Sequence, residues 1–151
     1  MRIYVRQQLK DQDRRYLTDQ IMGYLKGRGK YSSTNPHRLF SQIHDAMNLI
    51  LTGETSKQMY KRTGLKPHQL LRDYFPLDKL NRYSALSVCI GNLIIDGYKP
   101  EEAVQLGADI ALPRPYQAEP IELVDPIKKL ERQVLEKLLP KPLLGKQSGM
   151  N

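Results

Sequence analysis

Residues 77–96, LDKLNRYSALSVCIGNLIID, decide the fold of this 151-residue chain. From Ala85 onward, apolar side chains cover most of the circumference of a helix, so this segment should be the central and most buried element. Gly97 follows it as a helix terminator. Leu93 and Ile94 are therefore predicted core positions. A chain organised around such an element belongs to the all-α class, here as a compact helical domain.

Helical patterns flank the central helix on both sides. Apolar residues at helical spacing predict a helix over 11–26, capped by an aspartate, and a second over 35–52, where an Asn-Pro pair provides the start. A Pro-Glu-Glu sequence begins a short helix over 100–110. Ahead of all these, Ile3 and Val5 alternate with polar residues, which permits a short strand or an arm.

The predicted domain organisation has three parts. A helical domain covers 1–112, a proline-rich linker with no core of its own covers 113–125, and an amphipathic helix with a tail covers 126–151. The apolar stripe of 126–139 is large enough to need burial. It either makes a homodimer or folds back on its own domain.

Composition points to an intracellular protein with an anionic partner. The net charge is +8, and the basic residues lie mostly in the first 83 positions, whereas 84–127 holds two basic residues against seven acidic ones. A single cysteine, Cys89, excludes an internal disulfide and a cysteine-based metal site. No apolar run reaches membrane-spanning length and the N-terminus has no signal-peptide pattern, so we expect a cytoplasmic protein that contacts no membrane.

One stretch carries a family resemblance. Residues 44–80 read HDAMNLILTGETSKQMYKRTGLKPHQLLRDYFPLDKL. They resemble the H-x-A-M-N, L-T-G-x-T-S-K, G-L-K and L-R-D series of the DNA-damage-inducible protein D family and of related phage antirepressor and BRO-type proteins. The matching positions are His44, Ala46, Met47, Asn48, Leu51, Thr52, Gly53, Thr55, Ser56, Lys57, Gly64, Leu65, Lys66, Leu71, Arg72 and Asp73.

The resemblance implies a regulator of a phage or mobile element, or of the response to DNA damage. It covers about 35 residues and brings no catalytic residue with it. The DNA-binding modules that often precede this segment in phage antirepressors are not recognisable in the N-terminal part of the chain.

The same stretch permits a helix-turn-helix-like pair over 52–76, with Gly64 in the turn and a second helix over 67–75. Two residues depart from that pattern: Tyr60 stands where a small side chain is usual, and Asp73 where an apolar one is. The pair therefore either reads DNA or is purely structural. The predicted DNA-binding residues are Lys57, Lys61, Arg62 and Lys66 toward phosphates, and His68, Gln69 and Arg72 toward base edges.

No enzyme is predicted. The histidines His37, His44 and His68 have no metal-type spacing, and no catalytic pair or cofactor motif is present, so we expect no catalytic residue, metal or cofactor. Two functions remain: a transcription regulator that contacts double-stranded DNA, or an antirepressor-like module that docks on a repressor or other regulatory protein. Convergence of basic residues from 1–40 and 57–72 on one exposed face would favour DNA.

Overall fold

A computed structural model describes residues 2–27, 36–126 and Lys137. Over these residues the chain is helical and has no strand, which confirms the all-α class. No helix in these ranges combines the length and the apolar character that crossing a membrane requires. The α-helices are α1 (Arg2–Gln8), α2 (Arg14–Gly27), α3 (Pro36–Thr52), α4 (Ser56–Thr63), α5 (Leu77–Ile95) and α6 (Pro100–Ala111).

Helices α1 and α2 form one continuous rod, because a π-helical turn at Leu9–Asp13 joins them without a break in helical backbone angles. The expected strand or arm at Ile3 and Val5 was wrong. Val5 packs against the core as a residue of α1, and Leu9 is fully buried. Asp11 lies inside the π turn and begins no helix.

Helix α5 is the central element and contacts α1, α2, α3 and α6. Leu93 and Ile94 are buried, as predicted. Two glycines allow the closest approaches. A Cβ added at Gly91 would stand 2.5 Å from the ring of Tyr16 on α2, and one at Gly107 of α6 would stand 2.9 Å from Ile90. Neighbouring helices therefore pack on α5 at distances that a larger side chain would prevent.

Helices α3 and α4 begin and end as the sequence indicates. The predicted helix over 35–52 is confirmed as α3, which stops at Gly53 with a φ of 79°. Helix α4 starts with a capping box: the Thr55 hydroxyl accepts from the Gln58 backbone, and the Gln58 side chain accepts from the Thr55 N–H. It ends at Gly64 in the left-handed conformation.

The second helix predicted over 67–75 was wrong. Only Leu71–Tyr74 is helical, as a single 3-10 turn. The Tyr60 hydroxyl donates to the Gln69 carbonyl and accepts from the Leu71 N–H, so a side chain takes backbone groups that an α-helix would pair. The helix-turn-helix-like pair over 52–76 is thus reduced to α4 and one 3-10 turn.

The proline-rich segment lies against the helical domain. We call residues 113–126 the strap. It is extended, but Ile121 is fully buried, so the segment expected to be a linker contributes to the core. Its backbone bonds to Leu51 through Glu119 and to Tyr74 through Val124. The helix and tail predicted over 126–151, and the homodimer contact over 126–139, lie outside the described residues except for Pro126 and Lys137.

Candidate functional site

Besides Arg62, four of the predicted DNA-contacting residues are exposed. Lys57 and Lys61 lie on α4, and Lys66 and His68 lie on the loop that follows it. We call these four residues the basic surface. The capping box and the left-handed glycine fix both ends of α4, so the two lysines are presented from a short but well-defined helix.

The remaining predicted phosphate contact, Arg62, is held by other groups. Its Nε lies 2.7 Å and 3.0 Å from the two carboxylate oxygens of Glu54. Its Nη2 donates to the Ile121 carbonyl of the strap. This exposed arginine therefore has a structural role in attaching the strap to α4.

The predicted base-reading residues do not form one outward face. The Gln69 amide accepts from the Lys66 backbone N–H and donates to the Tyr74 hydroxyl, which keeps it beside its own loop. The guanidinium of Arg72 turns inward and lies 5.4 Å from the ring centroid of Tyr83. The prediction that these two side chains and His68 share an exposed recognition helix was wrong, because that helix is absent.

Basic residues from 1–40 and 57–72 do converge, but they meet in the interior of the domain and not on an exposed face. Arg6 of α1, Arg14 of α2 and Arg72 of the 3-10 turn line a cavity of about 110 Å³. We call these three residues the arginine cluster. The other lining residues are Asn48, Ser56, Tyr60, Leu70, Leu71 and Phe75.

The π turn explains how Arg6 and Arg14 reach the same cavity. Residues eight apart on a regular α-helix differ by about 80° in direction. A π turn accommodates about one extra residue, so the two positions lie nearly two full α-turns apart and point the same way. The irregular turn at Leu9–Asp13 therefore aligns two cations that a straight helix would separate.

One carboxylate compensates the cluster. Asp73 is buried, and its Oδ1 accepts from Arg6 Nε at 3.0 Å. Within the described residues, Arg6 Nη1, Arg14 Nε and Arg72 Nε are buried and have no hydrogen-bond partner. Three guanidinium groups therefore line a small cavity, Asp73 pairs with one of them, and a buried N–H from each bonds to no described protein group.

The pKa values of nearby bases reflect burial first and neighbouring positive charge second. Burial, followed by the charges of Arg14 and Arg6, lowers the pKa of Arg72 to about 9. Burial and the charge of Arg6 lower the pKa of Arg14. Burial, with the charges of Arg14 and Arg72, lowers the pKa of His44 to about 3, so this histidine is neutral at physiological pH. Guanidinium groups resist deprotonation in proteins, so we take both arginines as charged and electrostatically costly.

A polar chain supports the cavity wall. The Tyr83 hydroxyl donates to Asn48 Oδ1, and Asn48 Nδ2 donates to the Ser56 hydroxyl at 2.9 Å. Burial raises the pKa of Tyr83, which keeps its hydroxyl protonated as a donor. The Ser56 proton is directed away from Asn48, and Ser56 lines the cavity.

Sequence reasoning missed Arg6 and Arg14 as site residues. Arg14 did leave a signal, because it stands three residues before Leu17 and seven before Ile21, on the apolar stripe of α2. A cation in line with core positions is unusual unless it is paired. Arg6 left no such signal, since its direction depends on the π turn.

No protein-family model, curated protein or solved structure matches the chain. In the ranges 2–27 and 36–126, no group of three or more His, Cys, Asp or Glu side chains is arranged to hold a metal ion. The functional interpretation therefore depends on the geometry of this chain alone. It is a small helical protein with two candidate sites, the exposed basic surface and the arginine-lined cavity.

Proposed function

We propose that this protein is a DNA-associated regulator that binds duplex DNA through the basic surface. The observation that carries the proposal is the exposure of Lys57, Lys61, Lys66 and His68 on and just after α4. The net charge of +8 adds a general attraction to a polyanion. The resemblance of 44–80 to DNA-damage-inducible and phage regulatory proteins supports the regulatory class.

The proposed contact is to the phosphate backbone. Lysines spaced four apart on α4 can approach neighbouring phosphates without reading a base. Because Arg72 is directed inward and residues 65–70 are not helical, few side chains remain for base edges. The proposed binding is therefore strongly salt-dependent and weakly dependent on DNA sequence.

A gel-shift titration of random duplex DNA at low and moderate salt tests the proposal. The test variant is Lys57→Ala with Lys61→Ala. The matched control is Lys10→Ala with Arg15→Ala, which removes the same charge from exposed positions outside the basic surface. We expect the test variant to bind more weakly and to lower the slope of log K against log salt by about 1.8, or about 0.9 for each phosphate that is no longer neutralised. Equal affinity of the two folded variants would contradict the proposed surface.

Protein docking is the second candidate function. Every acidic residue between 84 and 127 is exposed, and so are the apolar side chains of Ile95 and Ile110, at 59% and 61%. An acidic surface with apolar members suits a basic or amphipathic protein partner better than DNA. Absence of duplex binding by the unmodified chain at low salt would favour this antirepressor-like role.

A further inference from the structure

We propose that the arginine cluster is a binding site for a phosphate group, taken either as inorganic phosphate or as the terminal phosphate monoester of a larger molecule. This site differs from the basic surface in residues and in environment. It therefore does not depend on the proposed DNA contact.

Hydrogen-bond geometry is the first support. Each arginine of the cluster contributes a buried N–H that bonds to no described protein group: Arg6 Nη1, Arg14 Nε and Arg72 Nε. The Arg6 side chain is only 6% exposed and lines the cavity. A buried donor left unbonded is costly, and charged donors are the most costly. An oxyanion in the cavity would accept from all three.

Charge balance is the second support. The cluster holds three guanidinium charges and one neutralising carboxylate, Asp73, which leaves two positive charges in excess. The neighbouring His44 adds none, because it is neutral. Asp13 is also buried, but its carboxylate accepts from Ser84 and does not line the cavity. A phosphate monoester carries about −1.5 to −2 charges at pH 7, which matches the excess.

Size and shape are the third support. The cavity volume of about 110 Å³ is several times the roughly 10–15 Å³ that one water molecule requires. It accommodates a compact tetrahedral group but not a nucleobase with its sugar. Planar guanidinium forks favour oxyanions with several acceptor atoms. Leu70, which is 50% exposed, lies at the edge of the cavity, so the remainder of a larger ligand would extend outward there.

A purely structural role accounts less well for the cluster. A structural network of buried charges is stable when its charges are paired and its donors are satisfied. Here the Arg6–Asp73 pair balances the charge of one arginine, and Arg6 Nη1 still has no hydrogen-bond partner among the described residues. For Arg14 and Arg72, burial first and the charge of a neighbouring arginine second lower the pKa, so both groups are charged in a site that disfavours charge.

Calorimetric titration of the full chain with inorganic phosphate, at ionic strength held constant with sodium chloride, tests the proposal. We expect saturable binding that Arg14→Gln weakens about tenfold or more, corresponding to about 1.4 kcal/mol. Arg15→Gln is the matched control, because it removes the same charge from an exposed neighbour. It should change affinity less than twofold. Arg72→Lys keeps the charge but loses the fork, so it provides a second variant if Arg14→Gln does not fold.

Each outcome of the titration counts for or against the site. No saturable binding up to about 10 mM phosphate, tenfold above a millimolar Kd, would overturn the site. So would equal losses in Arg14→Gln and Arg15→Gln. A second titration compares a 5′-phosphorylated with an unphosphorylated oligonucleotide, to separate the two possible sources of the phosphate group. Tighter binding of the phosphorylated oligonucleotide identifies a phosphate monoester as the ligand. Binding of inorganic phosphate without that preference identifies the free ion. The Lys57→Ala, Lys61→Ala variant should retain phosphate binding even if it loses duplex binding, so the two proposals can fail separately.

Discussion

The basic surface and the arginine cluster are built from the same kind of charge in opposite environments. Lys57 and Lys61 are exposed to water on a capped helix, whereas the arginine cluster lines an interior cavity and has one ion pair, Arg6 with Asp73. Solvated cations attract a polyanion over a distance and cost the fold little. Buried cations cost the fold heavily unless an anion accompanies them. The same net charge in a sequence can thus serve long-range attraction or a specific site.

The largest expected effect comes from removing the acid of the arginine cluster. Asp73→Asn leaves three guanidinium groups without a carboxylate, and breaking a buried ion pair typically costs about 3–5 kcal/mol. We expect the free energy of unfolding to fall by that amount in urea denaturation.

The exposed ion pair near the basic surface provides the matched control for that measurement. Glu54→Gln removes the acid that faces Arg62, whose side chain is 41% exposed. We expect a decrease of about 0–1 kcal/mol, because water screens such a pair. Similar decreases for the two acids would mean that the arginine cluster is not desolvated as the structure places it.

The partly buried His44 should make the free energy of unfolding depend on pH below about 6.5, so that acid destabilises the fold. Its pKa is about 3 in the fold against 6.5 for an unperturbed histidine, so below about pH 6.5 the unfolded chain takes up a proton that the folded chain does not. Stability should therefore fall as the pH drops from about 6.5 toward 3, by up to about 1.4 kcal/mol per pH unit from this residue. Unfolding of the unmodified chain and of His44→Gln across this range measures it, with a shallower dependence expected for the variant. Parallel curves would refute a neutral, buried His44.

Removing the Arg14 charge from the arginine cluster should raise the free energy of unfolding, by less than the Asp73 substitution lowers it. Arg14→Met keeps an unbranched side chain but removes a half-buried charge next to Arg6. In buffer free of phosphate and sulfate, we expect the midpoint of urea unfolding to rise, by about 1 kcal/mol in stability. Arg15→Met, at an exposed position, should change stability by less than about 0.5 kcal/mol. Destabilisation by Arg14→Met alone would show that its stem, rather than its charge, governs this position.

The smallest expected effect on stability comes from removing one cation of the basic surface. Lys66→Ala should leave the unfolding free energy within about 0.5 kcal/mol of its original value. It should also lower the salt slope of duplex binding by about 0.9, equivalent to one phosphate contact. A gel-shift series over salt concentrations measures this, and an unchanged slope would remove Lys66 from the surface.

Strong helical periodicity and terminators made much of the fold predictable. The stripe of α3, the apolar run of α5 and the Pro-Glu-Glu start of α6 each point to one structure. The alternation of apolar and polar residues at Ile3 and Val5 led to the wrong prediction of a strand or arm. Over so few residues, such alternation also fits a helix that is buried on one side. The helix predicted over 67–75 failed because Tyr60, distant by nine residues or more, takes its backbone hydrogen bonds.

The two cation groups were not equally predictable. Exposure of Lys57, Lys61, Lys66 and His68 follows from their polar, loop-rich surroundings. The arginine cluster depends on a π turn that sets the direction of Arg6 and on a 3-10 turn that directs Arg72 inward. Both turns are tertiary outcomes, so no local pattern could bring the three residues together.

The strap has a consequence for the order in which the chain folds. Its hydrogen bonds join residues that are far apart in the sequence. Arg62 and Ile121 are 59 positions apart, Leu51 and Tyr116 are 65 apart, and Arg2 and Asp125 are 123 apart. Closing such long loops costs chain entropy that local helix contacts do not incur. Helices α5 and α6 are neighbours in sequence, so they can pair first, whereas the strap docks only after a long loop has closed. Amides of the strap, such as Val124 bonded to Tyr74, would exchange with solvent through openings that leave the helical core intact.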